Sequence, residues 1–376
     1  MLKNSGNLHV GRQPDLLDVA NRQTILSMPI TDTFWCGIAP LGISELYEID
    51  QLVEDGCAAL SAGRRESAIA HFSAAMRRIN RYGPAKTEID KIAKSIFSEA
   101  IAVRDQGDVE AAIALLVRSV ELNPDSGEVR SELTRLLATT PPSRDLTTEC
   151  LIFPDAARAD KFYRDAIQTC MDFVVYSGID GDIFEFGVLA GWTARRFAET
   201  MLEMNYLCDI HLYDSFEGLP RVKNEIDQKS YDVVRGVWKE EMKLPDAWEV
   251  EIGMTIDEHV AQSLSRVISR SRINMRRGYF NETLKTRIET KAALVHLDCD
   301  LYESTAEVLN ALHRDHVLMD GTMLMFDDWN CNRANPAFGQ RRAFAEFLKT
   351  HEATYSASHY LNYGFNCAAF ILPLNA

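Results

Sequence analysis

The sequence predicts an α/β protein: a doubly wound, mostly parallel, seven-stranded Rossmann-like sheet preceded by an all-α helical segment. Two observations predict it. From about residue 146, short β-rich apolar runs alternate with helical stretches, the pattern of βαβ units, whereas residues 48–140 read as helices joined by short turns. The stretch ATTPPSRD at 138–145 separates the two patterns and breaks helical periodicity. The expected domains are an irregular N-terminal arm (1–45), a helical domain (46–140) and the sheet domain (146–376).

The strands justify themselves in order. DIFEFG (182–187), IHLYD (210–214), INMRRG (273–278), ALVHLD (293–298) and TMLMFD (322–327) are each compact and apolar, and a final antiparallel pair is expected from ATYSASHY and NCAAFILP. The arm mixes Pro, Gly and isolated aromatics, with Phe34 and Trp35 suited to docking on another surface.

In the helical segment, Gly63, Ala68, Phe72 and Ala75 stand at offsets 0, 5, 9 and 12, and Gly107, Ala112, Leu116 and Ser119 repeat those offsets, with Pro124 at 17. Small residues at such offsets let two helices approach closely, with a bulky residue filling the space between them. The segment resembles the tetratricopeptide (TPR) repeat, although the two copies are 44 rather than 34 residues apart. The role of these helices stays open among self-association, holding a protein partner and completing a small-molecule pocket.

The net charge of -15 argues against nucleic acid as the main partner, because phosphate neutralisation needs a basic surface. No run reaches the ~20 apolar residues of a membrane span, and the first twenty residues lack the apolar core of a secretory leader. A soluble, cytoplasmic protein is expected. The eight cysteines form no CxxC pair and read as reduced thiols.

Chemistry concentrates at the strand tips. In EFGVLAG, Gly187 lets the chain turn at a strand end, Gly191 opens the following helix, and Glu185 can face the same crevice. Asp214, followed by Ser215, ends the second strand, where a carboxylate can accept hydrogen bonds from both ribose hydroxyls of a nucleoside cofactor. Gly278, Tyr279 and Phe280 after the third strand offer a bend and an aromatic wall.

The fourth strand runs into Asp298 and Asp300, the fifth into Asp327 and Asp328. Carboxylates converging at one sheet edge repel one another unless a cation compensates. Oxygen donors without a His or Cys partner suit Mg²⁺, Ca²⁺ or Mn²⁺. His296 reads as a satisfied core histidine, His313 and His316 as solvated, and the Arg-rich SRVISRSRINMRR as a solvated helix end.

Taken together, IDGDIFEFGVLAGWTA, LYDSFEGLP, RGYFNETL, LDCDLYEST, FDDW and GQRRAFAEF resemble the macrocin O-methyltransferases, in consistent order over roughly 160–372. The resemblance implies a class I methyltransferase fold using S-adenosylmethionine (SAM) and Mg²⁺, with a small-molecule hydroxyl as acceptor. It places Glu185, Gly187, Asp214, Tyr279 and Phe280 around SAM. It makes Asp298, Asp327 and Asp328 the metal ligands, with Asp298 also the base. Asp298 is preferred to Asp300 because it ends the strand. Trp329 replaces the more usual Tyr of the family's DDY, and the Asn330–Arg333 segment is atypical, at a place where the acceptor is expected. The segment 215–272 is expected to cover it. Two rivals remain: a nucleotide-dependent dehydrogenase, which lacks G-x-G-x-x-G and leaves the acids unexplained, and a helical-repeat adaptor with a vestigial enzyme fold.

Overall fold

The computed structural model describes residues 43–78, 83–142, 144–151, 155–238 and 244–375. The arm, with Phe34 and Trp35, lies outside the described residues except for its last three positions, which begin a helix. The chain divides into two compact units, Met1–Ile92 and Ala93–Ala376. The Pro-rich break at 138–145 lies inside the second unit.

The first unit contains helices α1 (Ile43–Ser61) and α2 (Arg65–Arg78). Helix α3 (Gly83–Asp105) begins in the first unit and ends in the second. Ala68, Phe72 and Ala75 are fully buried, and a Cβ on Gly56 would strike the Phe72 ring at 2.5 Å, so α1 and α2 pack at close range.

In the second unit, α4 (Val109–Leu122) and α5 (Gly127–Thr139) follow. Gly107 takes a left-handed φ of 92° before α4, Asp108 caps that helix, and Ala112, Leu116 and Ser119 are buried. Ser119 Oγ donates to the Ala93 carbonyl at 2.9 Å, which explains a small polar residue at this buried position. These contacts establish a helical hairpin at the predicted offsets.

Seven strands form one sheet: β1 (Asp182–Phe186), β2 (Ile210–Asp214), β3 (Ile273–Arg277), β4 (Ala292–Leu297), β5 (Leu318–Phe326), β6 (Ser358–Tyr363) and β7 (Cys367–Leu372). Their order is β3-β2-β1-β4-β5-β7-β6. β1 to β5 are parallel, while β7 runs antiparallel to β5 and to β6, as expected of the final pair.

Alternation along the strands separates two cores. Ile183, Leu294 and Met325 join helices α6 (Ala156–Tyr176), α7 (Trp192–Glu203) and α11 (Ile256–Leu264) on one face. Phe184, Phe186, Val295, Leu297 and Phe326 join α13 (Tyr302–Arg314) and α14 (Gly339–Thr350) on the other. Near-continuous burial of β4 is what a central parallel strand covered on both faces requires. Strand order reverses between β1 and β4, so their carboxyl ends open the crevice in which doubly wound sheets bind ligands.

Three expectations need correction. The segment 215–272 does not act as one cover. Its first part carries α8 (Glu225–Gln228) and α9 (Tyr231–Val234), which sit at the carboxyl edge. There Asp227 accepts hydrogen bonds from Tyr302 N and Glu303 N at 2.9 and 3.1 Å, and Asp232 N donates to Asn332 Oδ1 at 2.9 Å. The later part includes α10 (Asp246–Ile252) and then α11, whose Ile256, Val260 and Leu264 belong to the first core. The Arg-rich stretch is not wholly solvated, since Arg272 is buried. His313 is packed, stacking on His351 at 3.8 Å and meeting Tyr355 Oη at 3.1 Å, while His316 is exposed as expected. Among the described residues, no helix is long and apolar enough to cross a membrane.

Candidate metal and cofactor site

The tips of β1, β2, β4 and β5 converge at the crevice. Phe186 ends β1 and leads into Gly187, whose φ is 93°. A Cβ there would lie 1.9 Å from the Asp298 carbonyl oxygen, so glycine is required by two constraints at once. What occupies the space beside Gly187 is thus the tip of β4, rather than room left for a ligand. Asp298 N donates back to Phe186 O at 2.8 Å and completes the junction. Gly191, with φ 79°, is the N-cap of α7, and a Cβ would meet Val260 and Thr147. Close packing explains this second glycine.

Asp214 holds the loop between these glycines. Its Oδ2 accepts from Val188 N and Leu189 N at 2.6 and 2.8 Å, and its Oδ1 from Phe216 N at 2.6 Å. The strand-end carboxylate therefore ties the β1 loop to β2 through backbone amides. Ser215 is buried and turns inward, donating to Gly218 O at 2.8 Å. Gly278 N donates to Asp214 O, and Phe280 meets Phe186 edge-on at 5.8 Å. Tyr279 precedes the short helix α12 (Phe280–Thr283). These residues border one side of the crevice.

On the other side stand the carboxylates. Asp298, Asp327 and Asp328 each offer an oxygen, and these three atoms lie within 4.8 Å of one another. Burial raises the Asp298 carboxyl well above its ordinary range, and the charges of Asp327 and Asp328 add to the shift. Burial, then Asp327, lifts Asp328 to about 7. A set of hard oxygens that resists ionising together fits a divalent cation, which would remove the repulsion.

Asp300 stands slightly apart. Its φ is 58°, its backbone N–H donates to Asp328 Oδ2 at 3.0 Å, and burial followed by Asp328 raises its carboxyl. Gln340, fully buried at the start of α14, accepts from Asp328 N and donates to Leu297 O, both at 2.9 Å, so it stitches the β4 and β5 tips together.

Behind the acids lies a buried chain that sequence reasoning read only in part. Alternation puts Glu185 on the same sheet face as Ile183, and the register pairs it with His296. Both are buried, and His296 Nδ1 lies 3.1 Å from Glu185 Oε1. Nε2 stands 3.6 Å from Asp327 Oδ1, longer than a hydrogen bond. Burial alone would lower the His296 pKa, yet Asp327 and Glu185 carry it up to about 9. Burial raises the Glu185 carboxyl, with His296 opposing. Tyr163 on α6 donates to Asp327 Oδ1 at 2.6 Å, and the Cys367 thiol approaches the same oxygen at 3.3 Å. Nothing local in the sequence flagged Tyr163. Its position on the apolar stripe of α6, beside Ala166, Ile167 and Cys170, was the available signal.

Trp329 does not line the crevice where the acceptor was expected. It packs against Phe370 at 4.6 Å and Phe326 at 5.2 Å in the second core. The loop beyond it takes three successive left-handed residues, Asn332, Arg333 and Ala334, and Arg333 lies over the Tyr231 ring at 3.9 Å.

With this geometry in place, similarity to known proteins becomes informative. Residues 160–356, more than half of the chain, match the model of the macrocin-O-methyltransferase family. The chain belongs to that family. It is 29% identical over 168 residues to the 8-demethyl-8-(2,3-dimethoxy-alpha-L-rhamnosyl)-tetracenomycin-C 4'-O-methyltransferase of Streptomyces olivaceus, covering 44% of this chain and 59% of that protein. It is 25% identical over 166 residues to the mycinamicin III 3''-O-methyltransferase of Micromonospora griseorubida, covering 43% and 61%. The chain thus spans about three fifths of the length of the curated relatives it matches. Among solved structures it is similar to the calicheamicin methyltransferase CalS11, at 22% identity and a TM-score of 0.42, over 66% of this chain and 93% of the other. The O-methyltransferase NovP matches at 19% identity and a TM-score of 0.40, over 55% and 78%.

Proposed function

We propose that this protein transfers the methyl group of SAM to a hydroxyl of a sugar-bearing natural product, with a divalent cation held by Asp298, Asp327 and Asp328. The observation that carries the reading is the convergence of those three carboxylates at the reversal point of the sheet, beside the Gly187 loop. Family membership and the sugar O-methyltransferase names of the two relatives support the reaction class.

A bound cation would supply Lewis-acid stabilisation of the acceptor alkoxide, which an alcohol needs at neutral pH. The chain supplies position. The Val188 and Leu189 amides, held by Asp214, shape the loop that borders the cofactor, and Gly191, Ser215, Gly278, Tyr279 and Phe280 complete that wall. SAM would supply the methyl group and a neutral thioether leaving group, and Asp298 would take the proton of the acceptor hydroxyl. Glu185 acts from beneath the crevice through His296. The helical segment keeps its TPR-like reading as a surface for a protein partner or for self-association.

The test is methyl transfer from isotope-labelled SAM to a panel of glycosylated polyketides and nucleotide-linked deoxysugars. Label is expected in the sugar ether, and its loss is expected after chelation. Label appearing only on nitrogen, or binding of NAD in place of SAM, would reject the reading. The adaptor alternative has no comparable support, since all four strand-tip acids are present.

A further inference from the structure

We infer that Tyr163 and the Glu185–His296 pair are positioning residues that fix the Asp327 carboxylate for a divalent cation. This rests on the metal reading above and adds to it a means by which one ligand is held. Side chains from three elements approach one oxygen. Tyr163 Oη from α6 donates to Asp327 Oδ1 at 2.6 Å, Cys367 Sγ from β7 lies at 3.3 Å, and His296 Nε2 from β4 lies at 3.6 Å. His296 is held in turn by Glu185 of β1 at 3.1 Å.

The burial makes these contacts directional. Tyr163 is 2% exposed and its ring is wedged edge-on between Trp192 and Tyr363, at 5.2 and 5.6 Å, so its hydroxyl has little freedom to leave Asp327. His296 is wholly buried, and its Nε2 has no hydrogen-bond partner among the described residues although it faces the same carboxylate. The Tyr163 hydroxyl and the Cys367 thiol donate to Oδ1, the His296 ring faces the same oxygen, and among the described residues no such donor reaches Oδ2. A carboxylate loaded on one oxygen cannot swing, and it keeps the other for a cation. Partners that orient a metal ligand in this way are typically worth about ten- to a hundredfold in metal affinity.

Tyr363 provides an internal control. Its hydroxyl is also buried and near this cluster, but it has no hydrogen-bond partner among the described residues. Full-length wild type, Y163F, H296N, E185Q and Y363F are titrated with Mn²⁺ alone, followed by calorimetry and by the electron paramagnetic resonance of free ion. SAM affinity and thermal midpoint are measured in parallel. Y163F and H296N are expected to bind Mn²⁺ about ten- to a hundredfold more weakly per folded molecule, with SAM affinity near wild type, and the midpoint sets the temperature at which each variant is titrated. Y363F should stay within about twofold, and E185Q, which keeps a hydrogen-bond partner for the imidazole, should fall between these limits. Wild-type affinity in both Y163F and H296N, with D327N abolishing binding, would overturn the inference and leave the metal reading standing. No Mn²⁺ bound by wild type would overturn the metal reading, and the inference with it.

Discussion

Two clusters of buried charge occupy opposite ends of the same sheet. At the amino end, Glu121 of α4 accepts from Arg272 Nη1 at 2.6 Å, from Arg118 at 3.2 Å and from Ser269 N at 2.7 Å, and also meets Ser269 Oγ. Arg272 spends its other donors on the carbonyls of Cys208 and Tyr206. Burial would raise the Glu121 carboxyl, but Arg272, Arg118 and Ser269 more than offset it and the net shift is downward. At the carboxyl end, Asp298, Asp300 and Asp328 are pushed up by burial and by one another. The first cluster carries its own counter-charge and is complete as built. The second has a single imidazole, His296, against several carboxylates, and that shortfall is the basis of the cation proposed there.

The comparison can be broken at either end. The largest effect is expected from Asp298→Asn, which would remove the proposed ligand and the proposed base together and should lower methyl transfer by about 10²–10⁴-fold, measured under saturating SAM. Activity near wild type would return the acids to a structural role. At the other end, Arg272→Met leaves the buried Glu121 with only Arg118 and Ser269 and should destabilise the fold by about 3–5 kcal/mol in urea unfolding. The double variant Glu121→Gln with Arg272→Met should recover much of that loss, because neither charge is left alone. Both variants should retain turnover per folded molecule.

Gly187→Ala should cost about 1–3 kcal/mol from its left-handed backbone alone. The clash with the Asp298 carbonyl adds to this and should weaken SAM binding, read by calorimetry.

A further effect is a slope with pH. Asp328 is raised to about 7 in the fold, so the folded state holds its proton more tightly than the unfolded chain does. Metal-free protein should therefore lose stability as pH rises from about 4 to about 7. His296, raised to about 9, acts in the same direction between about 6.5 and 9, since stability gained by its protonation is lost on passing the folded value. Thermal midpoints across this range should fall with pH without metal and flatten when Mg²⁺ is present.

The sheet was legible because each strand is a short apolar run with a turn at its end, and Asp298, Asp327 and Asp328 were legible because they sit on those ends. What escaped needed contacts across the chain. Tyr163 and Asp327 are 164 residues apart, and no local pattern joins them. Arg272 was hidden in a string of arginines, most of which do face water. Its partner left a readable sign, because Glu121 continues the stripe of Ile113 and Val117 at helical spacing, where a carboxylate must find a counter-charge. Gly187 was recognised, but the reason for it, the Asp298 carbonyl beside it, required the fold.

The central claim is that the second cluster awaits a cation, and calorimetric titration of Mg²⁺ into chelator-treated wild type and into D298N tests it most directly. One ion should bind per chain in wild type, with protons released near pH 7, and none in D298N. Methyl transfer that persists at full rate in excess chelator, with no ion bound by wild type, would contradict it.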